Sequence, residues 1–205
     1  MVALDTPKIF QRKKRHANVP HHLVYEILDG KHYYYKGFLD VMANNRTPDE
    51  IVGSSLYQWK IIEYLLEILF NMASRSKYSI ATNEPGLHLD RHNKLSGAVL
   101  LLNKKYLPQG AAISVKYAAV PAVLHIEVDI AADLEDEAAI IYLEEKINKL
   151  LAFGTVKIIW IFTQSQRVLI ATSANNWQWY DWSETLPLID GATFSIADYL
   201  KAERL

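Results

Sequence analysis

One short segment carries three polar side chains in a pattern that could do chemistry. Residues 121–130 read Pro-Ala-Val-Leu-His-Ile-Glu-Val-Asp-Ile. Side chains alternate between the two faces of a β-strand, so His125, Glu127 and Asp129 are expected to share one face and the aliphatic residues the other. Two carboxylates side by side on a rigid strand are a ready ligand pair for a divalent cation. The spacing also fits an edge strand with a solvated polar face.

A helix that follows this strand supplies the complementary charge. The pattern from 136 to 153 is helical and ends before Gly154, and residues 156–162 and 167–172 read as two further strands. Lys146 and Lys149 lie three residues apart and therefore share a face of the helix. That face can lie over the carboxylates of the strand and bring an ammonium close to a scissile phosphate. Two acids for a metal and one lysine are the parts expected of metal-assisted phosphodiester hydrolysis.

The remaining pattern predicts an α/β (α+β) domain with a central mixed β-sheet flanked by helices. An Asp29-Gly30 turn joins strands at 23–28 and 31–35 into an N-terminal hairpin, which places Glu26 in a strand near a sheet edge. Thr47 with Glu50 has the features of a helix start. We expect a long helix over 55–73, strands over 78–82, 87–90 and 98–102, and a final helix over 195–202.

Composition limits the class of protein. The 205 residues include no cysteine, 50% are hydrophobic, 22% are charged and the net charge is −1. A single globular domain over residues 20–205 is expected, and disulfides and thiolate sites are excluded. Charged residues interrupt the longest apolar stretch, so we expect no signal peptide and no membrane span, and a cytoplasmic location.

Residues 1–19 form a basic arm that we expect to be flexible. It holds a cluster with no acid after Asp5, and such a cluster can attract nucleic-acid phosphates without reading sequence. A solubilising tail is the alternative interpretation. The candidate phosphate-binding residues are Arg12, Lys13, Lys14 and Arg15.

Several of these segments resemble the Uma-type restriction endonucleases, an uncharacterised branch of the PD-(D/E)XK nuclease superfamily. Residues 25–30 read Tyr-Glu-Ile-Leu-Asp-Gly and look like an early element of that family. The strand ending in Glu127 and Asp129, the helix with Lys146, and residues 153–160 are similar to its central block. The resemblance runs from about residue 20 to residue 200.

The resemblance implies a restriction-endonuclease-like core, a bound Mg²⁺ or Mn²⁺, and DNA as the partner. Glu127 would be a catalytic metal ligand, joined by the carbonyl oxygen of Val128. The strand pattern adds Asp129 as a further metal ligand, although the superfamily usually has its lysine at that position. The catalytic lysine would have moved from the strand to the helix, as Lys146, with Lys149 in reserve.

Two positions depart from the family pattern. The aspartate that should begin the strand near residue 97 is Ala98, whose methyl group cannot bind a cation. Catalysis would then need another acid, and the candidates are Asp90, Glu26 and Asp129. Gln58 also stands where many relatives have a histidine.

The leading hypothesis is therefore a divalent-metal-dependent endonuclease that hydrolyses DNA. The alternative is a catalytically inactive nuclease-fold protein that binds nucleic acid or another protein, which Ala98 favours. A structural homodimer subunit without a nucleic-acid partner is a third interpretation. Homodimer formation is expected only because nucleases of this fold that cut both strands commonly pair.

Overall fold

The fold is seen in a computed structural model, which describes residues 19–52, 55–72, 74–107, 117–130 and 136–204. The predicted basic arm, residues 1–19, lies outside the described residues except for Val19. The described chain contains twelve strands and four α-helices. In chain order they are β1 (Val24–Leu28), β2 (Lys31–Tyr34), α1 (Phe38–Met42), α2 (Leu56–Asn71), β3 (Tyr78–Thr82), β4 (Gly86–Asp90), β5 (Asn93–Ser96), β6 (Val99–Asn103), β7 (Leu124–Val128), α3 (Asp136–Phe153), β8 (Lys157–Phe162), β9 (Arg167–Ser173), β10 (Asn176–Asp181), β11 (Leu186–Pro187), β12 (Thr193–Phe194) and α4 (Ile196–Ala202).

A six-stranded mixed sheet forms the centre of the fold. Its strand order is β10-β9-β8-β7-β6-β3, and β7 and β8 are its one parallel pair among the described strands. Helix α3 connects these two parallel strands, as a parallel crossover requires. The predicted mixed sheet flanked by helices is therefore confirmed.

Helices α2 and α4 cover one face of this sheet, and α3 covers the other. Ile61, Leu65 and Leu69 of α2 are fully buried against aliphatic residues of the central strands. Tyr142, Ile147 and Leu150 of α3 are equally buried on the opposite face. The strands between the helices are buried on both faces. The polar side chains on one face of β7 therefore need partners inside the protein.

The strand that carries Glu127 lies in the middle of the sheet. All five residues of β7 are buried between β6 and β8, so the interpretation as an edge strand with a solvated face is wrong. The alternation predicted for residues 124–128 is confirmed, since Leu124, Ile126 and Val128 belong to the core on the α2 side. It ends at Asp129, whose φ of 60° turns the chain out of the strand.

The predicted hairpin belongs to a second sheet. Strands β2, β1, β5 and β4, in that order, form a four-stranded antiparallel sheet that we call the small sheet. Its inner face packs on the same core as α3, through Leu28, Tyr33, Leu87 and Leu95. This packing brings Glu26, in the second strand of the sheet, toward α3.

The helix start predicted at Thr47 is a single 3₁₀ turn, Pro48–Glu50, in which Glu50 accepts a hydrogen bond from the Thr47 amide at 2.6 Å. The long helix α2 begins separately. Ser55 caps it by accepting a hydrogen bond from the Gln58 amide at 3.2 Å, and the Gln58 side chain accepts one from the Ser55 amide at 2.8 Å. This reciprocal pair satisfies two amide groups that a helix start leaves open.

We predict that Ser55→Ala lowers the free energy of unfolding by about 1 kcal/mol. The substitution removes the hydroxyl that accepts a hydrogen bond from the Gln58 amide, and it frees the Gln58 side chain that accepts one from the amide of residue 55. Urea denaturation followed by circular dichroism measures the change. Ser165→Ala, at an exposed loop position, is the control and should change the value by less than about 0.5 kcal/mol. An equal effect of the two substitutions would contradict the role given to the cap.

Candidate active site

A fully buried lysine joins the small sheet to the central sheet. Lys146 of α3 has no exposed surface, and its ammonium nitrogen lies 2.7 Å from Glu26 Oε1 and 2.6 Å from Glu127 Oε1. The predicted contact between the helix and the strand carboxylate is therefore present. It involves an acid from each sheet, because α3 packs between them.

Three further side chains complete what we call the acid–lysine cluster. Glu26 Oε1 also accepts hydrogen bonds from the amide and hydroxyl of Ser96, at 2.7 and 2.9 Å, and Glu26 Oε2 accepts one from Tyr142 at 2.5 Å. His125 Nε2 lies 2.7 Å from Glu127 Oε1. Buried charges persist only when they are paired and hydrogen-bonded, and this cluster meets both conditions. Its members are Glu26, Ser96, His125, Glu127, Tyr142 and Lys146.

Aromatic rings enclose the ammonium on its remaining sides. Lys146 Nζ lies 5.6 Å from the ring centre of Tyr25, 5.7 Å from that of Tyr142 and 5.4 Å from that of Trp160. Rings at these distances attract a cation through their quadrupole. They also exclude water, which strengthens the attraction between the ammonium and both carboxylates.

The mutual attraction of the charges outweighs the cost of burying them. Burial by itself lowers the pKa of Lys146, but Glu127 and Glu26 more than compensate, so this pKa is raised. Burial likewise raises the pKa of Glu127, but the Lys146 ammonium and then His125 bring it below its ordinary value. Burial followed by the neighbouring glutamates raises the pKa of Tyr142 and of Tyr25. The cluster therefore holds an ionised glutamate, an ammonium and neutral phenols at neutral pH.

Glu127 also borders a cleft of about 360 Å³, which we call the Glu127 cleft. Val128 and Ala98 line the same cleft, together with Trp59 and Gln58 of α2. Gln58 Nε2 donates a hydrogen bond of 3.1 Å to the Val128 carbonyl oxygen and so ties the start of α2 to the end of β7. Lys146 does not line the cleft, because it lies behind Glu127 in the core.

The backbone beside Glu127 is tightly packed. A Cβ atom at Gly97 would lie 2.8 Å from His125 Nε2, closer than real Cβ atoms approach a side chain. Gly97 therefore leaves the space in which His125 contacts Glu127. Strand alternation predicts that His125 lies on the face of Glu127 but does not predict its contact with the carboxylate. The sequence feature that is related to this contact is Gly97, which lies beside His125 in space.

None of the four candidate replacements or reserves is among the described residues that line the cleft. Both carboxylate oxygens of Asp129 accept hydrogen bonds of 2.7 Å from Thr163. Asp90 is exposed and accepts hydrogen bonds from His92 and Asn93 at the tip of the small sheet. Lys149 pairs with Asp29 at 2.6 Å on the surface. Of the acids considered as substitutes for the residue at 98, Glu26 is the one that shares a partner with Glu127.

Glu127 and Glu84 are the described carboxylates that line the cleft, and Glu84 already accepts a hydrogen bond of 2.6 Å from Tyr35. In the described part of the chain, no three or more acidic, histidine or cysteine side chains lie close enough to hold a metal together. The Glu127 carboxylate and the Val128 carbonyl, which has a second lone pair beside the one that Gln58 uses, border the cleft. Magnesium often keeps several waters and uses one or two carboxylates with substrate phosphates. The two groups therefore fit Mg²⁺ as a minimal set, and Ala98 contributes no second carboxylate.

Comparison with known proteins gives a fold. No protein-family model matches the chain, and no curated protein sequence matches it. Among solved structures, the chain is similar to a "putative nuclease belonging to DUF820" from Anabaena variabilis, with a TM-score of 0.63 and 12% sequence identity. The match covers 86% of this chain and 89% of the other.

This chain has a nuclease-like fold. The TM-score and the coverage of both chains carry that statement, which confirms the coarse part of the resemblance found in the sequence. At 12% identity the comparison concerns the arrangement of the elements. No helix among the described residues has both the length and the apolar run needed to cross a membrane.

We predict that Lys146→Ala lowers the free energy of unfolding by about 3 to 5 kcal/mol, because it leaves two buried carboxylates without their cation. Lys149→Ala is the matched control on the same helix, and its exposed pair with Asp29 should contribute at most about 1 kcal/mol. Urea denaturation of both variants at pH 7 measures the difference. Similar losses for the two lysines would contradict the cluster as described.

The lowered pKa of Glu127 predicts a pH dependence with a definite sign. A carboxylate with a lower pKa in the folded state stabilises the fold above its unfolded pKa, here near 4.5. That contribution is lost as the pH falls through the folded value. The stability difference between the wild type and Glu127→Gln should thus be largest near neutral pH and shrink below pH 4.5. A difference that stays constant from pH 7 to pH 3 would contradict it.

Proposed function

We propose that this protein is a divalent-metal-dependent endonuclease that hydrolyses phosphodiester bonds in DNA, with its centre at Glu127. The observation that carries the proposal is a buried, ionised glutamate at the floor of a cleft, held by a lysine from the next helix. Its nuclease-like fold supports a nucleic-acid substrate. Glu127 and the Val128 carbonyl would hold Mg²⁺ or Mn²⁺, which would supply positive charge at the attacked phosphate.

The chain's own residues prepare this centre in three ways. Lys146 keeps Glu127 ionised, and together with His125 it fixes one carboxylate oxygen. Gln58 fixes the direction of the Val128 carbonyl. Lys146 is therefore a positioning residue, since the core separates its ammonium from the cleft.

A second candidate function is favoured by one observation, the alanine at position 98. Its methyl group lines the cleft beside Glu127, and its amide donates a hydrogen bond of 2.9 Å to the Ile126 carbonyl. The backbone is thus in place for an acid that the side chain does not provide. A protein of this kind would bind nucleic acid, or another protein, without hydrolysis.

Nicking of supercoiled plasmid in Mg²⁺ or Mn²⁺ separates the two functions. For the nuclease we expect cleavage by the wild type and a loss of at least about 100-fold in Glu127→Gln, which keeps the shape of the side chain but removes its charge. Glu67→Gln, on the exposed face of α2, is the matched control and should cleave like the wild type.

Ala98→Asp tests the alternative in the same assay. Cleavage by this variant beside an inactive wild type would show a nuclease fold that has lost one ligand, and would contradict the leading proposal. Inactivity of both, with folding verified by circular dichroism, would contradict hydrolysis and leave a binding role. The homodimer and the cytoplasmic location stay predictions.

A further inference from the structure

The outer face of the small sheet is turned away from the core and carries a row of basic and aromatic side chains. The inner face is marked by Leu28, Leu87 and Leu95, which are buried under α3. Since side chains alternate along each strand, the neighbouring residues Ile27, His88 and Lys94 point outward. Their burial follows this pattern, since Ile27 and Lys94 are partly exposed and His88 is exposed.

One row of paired residues crosses all four strands on this outer face. His32 of β2 pairs with Ile27 of β1, which pairs with Lys94 of β5, which pairs with His88 of β4. Directly paired residues share a face of a sheet. A lysine and two histidines are therefore arranged in a line about as wide as the sheet.

A pocket of about 520 Å³ lies over the Ile27, Lys94 and His88 part of this row, and His32 does not line it. Lys94 and His88 line it, and so do Tyr25 and Tyr117. Tyr117 is about half exposed, at 53%, and its ring lies where a Cβ atom of Gly86 would be, within 2.6 to 2.8 Å. The missing side chain at Gly86 thus lets an aromatic ring lie against β4 and form a wall of the pocket.

The electrostatics of the pocket favour an anion. Among the described residues, Glu26 is the one carboxylate that lines it, and Lys146, Ser96 and Tyr142 already occupy both of its oxygens. No ion pair joins Lys94 to another residue in the described ranges. Among its described lining residues, the pocket therefore offers aromatic rings and a lysine without an ion-pair partner, and its acid Glu26 is already held from the core side.

We propose that the outer face of the small sheet binds single-stranded DNA, with a base against Tyr117 and backbone phosphate at Lys94 and His88. Aromatic side chains on a sheet, combined with basic residues that follow the backbone, are the means by which proteins bind unpaired nucleotides. Paired bases cannot present their faces to a ring, so duplex DNA would not use the aromatic wall. This inference rests on the nucleic-acid substrate of the proposed function and adds a surface for the unpaired nucleotides that a locally open duplex presents.

The test is fluorescence anisotropy with a labelled 12-nucleotide oligo(dT) and with a duplex of the same length, in low salt with EDTA so that cleavage is absent. We expect tighter binding of the single strand. Tyr117→Ala should weaken that binding about fivefold or more, and Tyr117→Phe, which keeps the ring, should bind like the wild type. Tyr106→Ala is the matched control, since Tyr106 is an equally exposed tyrosine outside the pocket.

Lys94→Ala should weaken binding and make the slope of log affinity against log salt shallower by about 0.7, the value for one phosphate contact with a single strand. Lys201→Ala, on α4 beyond the opposite face of the central sheet, should leave both quantities unchanged. Equal or tighter binding of the duplex would overturn the inference. Equal effects of Tyr117→Ala and Tyr106→Ala would also overturn it.

Two further outcomes distinguish this surface from other functions. Sedimentation that shows a dimer broken by Tyr117→Ala, with no binding of DNA, would make the face a protein interface and overturn the proposal. Single-strand binding that depends on Tyr117 and Lys94, in a protein that does not nick plasmid, would support the surface while the endonuclease fails. If the protein nicks plasmid, neither Tyr117→Ala nor Lys94→Ala changes the nicking, and no single strand is bound, the endonuclease would be supported and the proposed surface overturned.

Discussion

The buried contact of one ammonium with two carboxylates determines how the two sheets of this protein are joined. Glu26 comes from the small sheet, Glu127 from the central sheet, and Lys146 from the helix between them. Each carboxylate would be costly to bury alone, and so would the ammonium. Because the two carboxylates share one ammonium only in this arrangement, the contact specifies the position of α3 against both sheets as well as the state of Glu127.

The same contact explains why the core is polar at its most buried point. An apolar replacement of a buried ion pair is often as stable as the pair itself, so stability alone gives no reason for a lysine here. A functional reason is available, since the cluster ends in a carboxylate at the Glu127 cleft. The charge that α3 contributes keeps that carboxylate ionised where water is largely excluded.

Much of the fold was readable from periodicity, and the failures have physical causes. Helix α3 and the strands β3 and β7 have strong apolar periods, and the sequence placed them correctly. Strand β5 was missed because Asn93, Lys94, Leu95 and Ser96 have no such period, and its antiparallel pairing with β4 makes it a strand. The relation of Glu127 to Lys146 followed from the order of strand and helix. The contact of Glu26 with Lys146 depends on the packing of the small sheet against α3, and local sequence does not encode that packing. Asp129 was placed wrongly on the face of Glu127 because alternation was extended past Val128, where a left-handed residue ends it.

The Glu127 cleft and the pocket on the outer face of the small sheet share a wall, and the acid–lysine cluster lies next to that wall. Tyr25 lines the Glu127 cleft and also the pocket on the outer face of the small sheet. Its ring lies over the Lys146 ammonium, so a change in the cluster would reach both cavities through one side chain. The cleft presents the ionised Glu127 and therefore needs a cation before it can accept a phosphate. The outer pocket presents Lys94 and can accept a phosphate directly. A strand bound at the outer pocket would thus be held beside the cleft by contacts that need no metal, so binding would be separable from the proposed hydrolysis.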